Sequence, residues 1–456
     1  MKKHKIILII SFLICLSSCK EMVIADAWTG IIDNFEDANS DKTIDSATLE
    51  EEEKELGIIR SDGLKYRPQD GKYHIFGYYE NRKNFVIPDT FNNQPVTAIT
   101  WFAFENCKSL QSITIGKNID GIGKYAFRGC SNLVSFNIDE NNSAVFNDGG
   151  LIYTGNENTK SLVFCLPNVT GEISFRDDIV EIEDGVFSEA PKITKIKIGS
   201  GAMISSFVRS ETFDMLDSLQ AFEVDDENPS LTDLNGVLCT RDEKKLLVFP
   251  GGRDGNYTIP ESIVEVELHA FEGKKRLNSL SLNSQISNIT FLSFIGDLSM
   301  KYFEVPSSNS YFSSYKGLVY SKQFDSVLHV PFGLDEFDFY PGVKTIASYA
   351  FQNEKEIQFL DLPRSIEKIE NHAFYAPNLK SIVFGPSLKT IGSYAFYWAN
   401  DIEKMFFEGT IEDLTQVSLS DCNSSLVHAK RYYYSEEKPK NKGRFWHYVN
   451  GKVVIW

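Results

Sequence analysis

Residues 110–133, Leu-Gln-Ser-Ile-Thr-Ile-Gly-Lys-Asn-Ile-Asp-Gly-Ile-Gly-Lys-Tyr-Ala-Phe-Arg-Gly-Cys-Ser-Asn-Leu, hold the pattern on which the fold turns. Leu110-x-x-Ile113-x-Ile115 alternates as a short strand with one buried face does. Ile119-x-x-Ile122-Gly123 fits a second short extended segment, and Ala126-Phe127 falls where one helical or 3-10 turn fits. The skeleton returns in Leu379, Ile382, Phe384, Leu388, Ile391, Gly392, Ala395-Phe396 and Ile402. Ala-Phe or a close variant recurs at Phe104, Phe127, Phe187, Phe213, Phe271, Phe294, Phe351, Phe374 and Phe396. Intervals of 22 to 26 residues are interrupted by intervals of 57 to 60. One such unit cannot bury its apolar face alone, but stacked neighbours can, in continuous ladders of Ile, Leu and Phe.

The long intervals contain a repeat of their own. Asn142, Asn228 and Asn309 each lie eight residues before Gly150, Gly236 and Gly317. Each glycine leads into an apolar run, Leu151-Ile152-Tyr153, Val237-Leu238-Cys239 or Leu318-Val319-Tyr320. A second apolar run follows a polar stretch and ends at Pro167, Pro250 or Pro331. Paired runs of this kind predict β-hairpin inserts gathered on one side of the stack.

Taken together, Ile-x-x-Ile-Gly-x-x-Ala-Phe-x-x-Cys-x-x-Leu, intact from Ile119 to Leu133, resembles the BspA-type leucine-rich repeats of bacterial surface proteins. Gly63-Leu64-Lys65-Tyr66 through Ile99 resembles the opening segment of that family, and Tyr432 to Trp456 resembles a closing segment. The pattern departs at Val186-Phe187, Thr212-Phe213 and Ser293-Phe294, where Ala is replaced, and the Cys is kept in only two repeats. The resemblance implies a leucine-rich-repeat solenoid over residues 57–430, a curved right-handed coil of α/β class. It is β-dominated, with short helical or 3-10 turns and hairpin inserts. Residues 431–456 follow as an aromatic C-terminal cap over the last open coil.

The N-terminus speaks to location. Lys2, Lys3 and Lys5 precede an apolar run from Ile6 to Leu16, which is too short to span a bilayer as a helix. It runs into Leu16-Ser17-Ser18-Cys19, which resembles the bacterial lipobox. The expectation is a signal peptide over residues 1–18, lipidation at Cys19, and an acidic tether to residue 56. Twelve acids against three lysines in residues 20–56 make that tether self-repelling. The expected location is the outer membrane or cell surface, held there by the lipid anchor alone.

The remaining residues exclude more than they assign. A net charge of -17 with no basic stripe argues against nucleic acid as a partner. The seven histidines make no His-x-x-x-His or His-Glu-x-x-His, and no Gly-x-Ser-x-Gly or phosphate-binding glycine loop occurs. His269 and His372 share the position before Ala-Phe, which marks a surface turn rather than a ligand pair. Cys107 and Cys130 occupy one repeat position, where two reduced, buried thiols are expected. Asp225-Asp226-Glu227-Asn228 is read as a solvated loop, since Ser307-Ser308-Asn309 at the equivalent place has no acids. No enzyme, metal site or cofactor is expected.

A binding role remains. The residue between the last two apolar positions of each strand must point away from the core. Along the chain it is Thr114, Asn137, Lys197, Glu223, Ser281, Glu304, Asp361, Val383 and Phe406. Glu304, Asp361, Val383 and Phe406 combine charge with apolar area and form the candidate binding face. If that face does not bind, its apolar end packs against the cap. The resemblance implies adhesion to host matrix proteins or other cells; capture of a glycan by a nutrient-uptake system through the C-terminal aromatics is the alternative, and a hydrolase with residues spread over several coils is the third reading.

Overall fold

The computed structural model describes residues 53–54, 56–156, 158–190, 192–202, 210–271, 274–289, 299–334, 338–352, 357–375, 377–399 and 401–456. Cys19, nearly all of the tether and Ser293-Phe294 fall outside them. The chain divides into two compact units, Met1–Ile59 and Arg60–Trp456. In the first, the Gly57 amide donates to the Lys54 carbonyl at 3.1 Å. The repeats occupy the second.

Among the described residues, the coils of the second unit contribute strands to two parallel stacks. In the first stack, Ser112–Ile115 lies beside Ser135–Ile138, with Ile113 opposite Phe136. Ile193–Ile198 and Ala221–Val224 pair in the same way, as do Leu277–Ser281 and Tyr302–Glu304, and Ser381–Phe384 and Lys404–Phe407. The second stack uses shorter strands, such as Thr345–Ile346, Lys368–Ile369 and Thr390–Ile391. At the inward-pointing alternate positions of both stacks, most Ile, Leu and Phe are buried, as strand alternation requires. Gly392 lets these coils close up: a Cβ there would lie 2.7 Å from the Asn371 backbone nitrogen.

The third side of the coil is a run of turns, with Ser210–Phe213 the one 3-10 helix among the described residues. The Phe amide of one coil donates to the Ala carbonyl of the next, from Phe104 to Ala126, Phe351 to Ala373 and Phe374 to Ala395, each at 2.8 Å. Bonds spent between coils are not available for a helix. The phenylalanine rings stack on this side, Phe104 on Phe127 at 5.4 Å, Phe351 on Phe374 at 4.7 Å and Phe374 on Phe396 at 4.8 Å. The ladder is not drawn from Ala-Phe residues alone. Phe127 meets Phe164 of the first insert at 5.3 Å, and Phe249 of the second stacks on Phe271 at 5.1 Å.

The inserts are richer than paired hairpins. Val145–Asp148, Leu151–Gly155 and Lys160–Cys165 form a three-stranded antiparallel meander, whose last strand then pairs in parallel with Ile179–Ile182. The other two inserts repeat this plan. An insert therefore belongs to the solenoid, supplying one strand of the second stack. A register shift falls two to three residues after the turn glycine in all three, between Ile152 and Tyr153, Leu238 and Cys239, and Val319 and Tyr320. The opening hairpin has the same shift between Lys65 and Tyr66, after Gly63. Its second strand, Lys72–Tyr78, starts the parallel stack beside Gln94–Ile99. The opening segment is thus built as the inserts are.

Asparagines, half-buried at Asn142 and buried at Asn228 and Asn309, brace the coils where an insert begins. Asn228 Nδ2 donates to the Gly199 and Ala202 carbonyls at 2.8 and 3.0 Å, while its Oδ1 accepts from the Ser230 and Leu231 amides. Asn142 and Asn309 make the equivalent four bonds. Asn283, in a short repeat, does so too, and accepts at its own carbonyl from Asn309. All four side-chain hydrogen-bonding sites are met, so burial costs little. The sequence Asp225-Asp226-Glu227-Asn228 is the turn that presents this asparagine, with Asp225 Oδ1 accepting from the Glu227 amide.

The C-terminal end departs from the expected single cap. Leu426, on the short helix Ser424–His428, and Ala429, which caps its end, close the end of the inner core together with Leu414 and Val417. The aromatic strand Phe445–Val449 does something else: it turns back over the outward face of the first stack.

Candidate functional site

Outward residues of the first stack fall in register, in four panels rather than one column. These are Val86, Thr114 and Asn137; Ser174, Lys197 and Glu223; Thr258, Ser281 and Glu304; and Asp361, Val383, Phe406 and Tyr432. The inserts separate the panels. Their turn glycines accept from the last strand of a panel, Phe222 donating to Gly236 at 2.9 Å and Phe303 to Gly317 at 3.0 Å. A left-handed backbone is needed at these glycines, φ 83° and 88°, which a side chain resists.

The panels differ in chemistry. In the second, Lys197 Nζ lies 2.6 Å from Glu172, and Lys195 Nζ lies 2.9 Å from Glu223. The hydrogen bond from Lys197 holds the Glu172 carboxyl below its ordinary range. These charges are already satisfied by one another. In the third panel Ser281 Oγ donates to Glu304 at 3.2 Å, and Tyr302 beside Glu304 is 46 % exposed. Phe359, two residues before Asp361, is also 46 % exposed, and Val86 in the first panel is 65 % exposed.

The fourth panel is covered. Val383 and Phe406 are only 1 % and 4 % exposed, and with Trp446 they form a small core outside the solenoid. Trp446 meets Phe406 edge-on at 5.6 Å, and its Nε1–H donates to the Phe407 carbonyl at 3.1 Å. Val383 and Phe406 are therefore not available to a ligand, contrary to their expected place on the binding face. They point outward, as alternation requires, but the final hairpin buries them. Asp361 is drawn into the same arrangement, accepting from the Tyr448 hydroxyl at 3.0 Å. Burial pushes its carboxyl up, and the hydrogen bond from Tyr448 only partly offsets this. Arg364 lies over the Tyr448 ring and pairs with Glu408, whose carboxyl burial also raises. Of the four candidates, Glu304 keeps an open setting.

One exposed feature was not foreseen. The residue before Ala-Phe takes a left-handed backbone in coil after coil: Phe102, Tyr125, His269, Tyr349, His372 and Tyr394, with φ between 57° and 65°. Bulky residues pay for that conformation. Their rings stack from coil to coil, Phe102 on Tyr125 at 5.4 Å, Tyr349 on His372 at 5.0 Å and His372 on Tyr394 at 5.1 Å. Tyr375, Tyr397 and Trp398 widen the C-terminal run into an aromatic ridge. The signal was in the shared position of His269 and His372, correctly a turn, whose aromatic partners in the other repeats carry the pattern.

Cys107 and Cys130 are buried thiols on successive coils, and Cys130 Sγ donates to the Phe104 carbonyl at 3.1 Å. Burial pushes the Cys130 thiol up to about 12. Among the described residues no group of three or more His, Cys, Asp or Glu is placed to hold a metal ion. No helix among them is long and apolar enough to cross a membrane.

The family model for the BspA type leucine rich repeat region matches in six copies, over residues 72–149, 255–317 and 331–430, more than half of the chain. A comparison with curated proteins gave no match. Among solved structures, a leucine rich cell surface protein from Faecalibacterium prausnitzii is 16 % identical, covering 79 % of this chain and 97 % of its own, with a TM-score of 0.39. A leucine-rich repeat protein from Eubacterium ventriosum is 17 % identical, covering 74 % and 93 %, with a TM-score of 0.42. The pneumococcal vaccine antigen PcpA is 14 % identical, covering 83 % and 94 %, with a TM-score of 0.34.

Proposed function

Because the chain belongs to the BspA-type leucine-rich-repeat family, we propose that it is a lipid-anchored surface protein that attaches to host matrix proteins or to other cells. The supporting observation is the open part of the outward face, where Tyr302 exposes apolar area beside Glu304 in the third panel and Phe359 does so beside Asp361 in the fourth. Neither ring serves the inner core, and apolar area rimmed by polar groups is what protein interaction sites present. Pull-down of matrix proteins with the full chain tests the reading. A folded Tyr302→Ser, Glu304→Ser, Phe359→Ser protein should lose capture at least about tenfold, since aromatic anchors dominate such contacts. Undiminished capture would move the site elsewhere.

Anchoring rests on Cys19 and the residues before it. A Cys19→Ala chain should fail to incorporate labelled fatty acid in a bacterial host. Incorporation at the parent level would remove the anchor from this reading. A second reading, glycan capture, is favoured by the aromatic ridge at Tyr349, His372 and Tyr394, because ring surfaces pack on the apolar faces of sugars. A glycan array that binds the full chain where matrix proteins do not would decide for it.

A further inference from the structure

We propose that the last coil carries a binding pocket for a small oxyanion, a carboxylate or phosphate borne on a compact organic body. The open pocket, of about 410 Å3, is lined by Val427, Ala429, Arg431, Tyr433 and Arg444. Arg431 stands where the repeat calls for a core residue. The register runs Leu360, Ile382, Met405, Arg431, and the first three are buried apolar side chains. At the next inward position Phe384 and Phe407 give way to Tyr433, which still packs against the core. The ladder thus ends in an arginine and a tyrosine.

A polar last rung alone would be ordinary, since a terminal coil must tolerate water. The second arginine changes the argument. Arg444 lies on the segment leading into Phe445–Val449 and lines the same pocket. Among the described residues its guanidinium has no hydrogen-bond or ion-pair partner, and Arg431 reaches only the Val427 carbonyl, at 3.3 Å. Elsewhere among the described residues Arg82, Arg128, Arg176 and Arg364 each pair with a carboxylate, while Arg241 and Arg253 reach backbone carbonyls and Arg67 and Arg276 pair with no acid. No acid lines this pocket, although the chain as a whole carries a net charge of -17. Residues 429–456 hold seven Lys and Arg against two Glu, so the surroundings are basic as well. Both arginines are exposed along this depression, and their planar forks suit carboxylate and phosphate oxygens. Tyr433, Val427 and Ala429 supply apolar surface for the body of the ligand.

The test keeps the body constant and varies the charge. Glucuronate, glucose 6-phosphate and neutral glucose are titrated calorimetrically into the full chain. The expected result is saturable binding of at least one anion, weakened by added salt, with no heat from glucose. Glucuronate alone, or the phosphate alone, identifies the oxyanion. Arg444→Gln, which removes no contact of the fold, and Arg431→Gln should each weaken that anion at least about tenfold. Melting temperature, checked alongside, should stay at the parent value for Arg444→Gln. Equal binding of glucose, failure of both anions to bind, or unaltered affinity in both variants would overturn the proposal. None of these outcomes bears on capture of matrix proteins by the outward face.

Discussion

At position 329 the third insert places a histidine where the other two hold Phe164 and Val248, all three facing the turn-side strand at the same register. The His329 ring is buried between Phe303 and Phe332, and burial pushes its pKa down to about 3. A base with a depressed folded pKa resists protonation only while folded. Its contribution is fully present above the unfolded value, near 6.5, and is lost as pH falls from there toward 3. Each unit costs about 1.4 kcal/mol, so roughly 2 kcal/mol should be gone at pH 5. Urea midpoints at pH 7.5 and 5 should therefore separate more in the parent than in His329→Val, which copies the second insert. An equal separation would show that the imidazole is not what sets this slope. The asparagines make a different demand. Asn309→Ala strands two carbonyls and two amides in the interior, which should cost about 3 kcal/mol or more in chemical unfolding. A loss under 1 kcal/mol would mean water replaces the clamp.

Elements show where a linear pattern carries three-dimensional information and where it does not. Alternation in Leu-x-x-Ile-x-Ile states which way each side chain points, and Val383 and Phe406 do point outward. What lies above them depends on a strand about forty residues further along, and no local period encodes that pairing. The aromatic residues of the closing segment were legible as a cover, with the outward apolar end packed against it as the alternative to a binding face, and the clustering of Val383 and Phe406 with Trp446 favours that packing. Likewise Gly150, Gly236 and Gly317 marked the inserts, while the extra strand Val145–Asp148 was hidden because Phe-Asn-Asp breaks its apolar run. The final hairpin should accordingly be separable from the inner core. Trp446→Ala removes a fully buried ring and its bond to Phe407, a change of about 3 to 5 kcal/mol. The expected outcome is fast amide exchange over Phe445–Val449 and Lys452–Ile455, with Ser381–Phe384 still protected. A hydrophobic dye should then bind at the uncovered Val383 and Phe406. Loss of protection in all of these strands together would make the hairpin part of the core.

Across the whole second unit, each coil touches mainly the coil before and the coil after, so stability is a sum of neighbouring interfaces rather than one global property. The phenylalanine ladder makes this measurable. Phe351 is buried and stacks at 4.7 Å on Phe374, which stacks at 4.8 Å on Phe396. Replacing Phe351 by Ala leaves a cavity on one side of the coil and should cost about 3 to 5 kcal/mol at that interface. It also sits beside the bond from its own amide to the Ala373 carbonyl, so the adjoining turn loosens with it. Exchange should therefore quicken first in Phe359–Asp361 and Ser381–Phe384. Ser112–Ile115 and Ser135–Ile138 bury their side chains in a separate stretch of core and should keep the parent rates. Two results would contradict this. A uniform rise along the chain would mean the coils unfold as one cooperative body, with the inserts binding distant panels together. No rise anywhere would mean neighbouring rings close over the gap and the ladder contributes little.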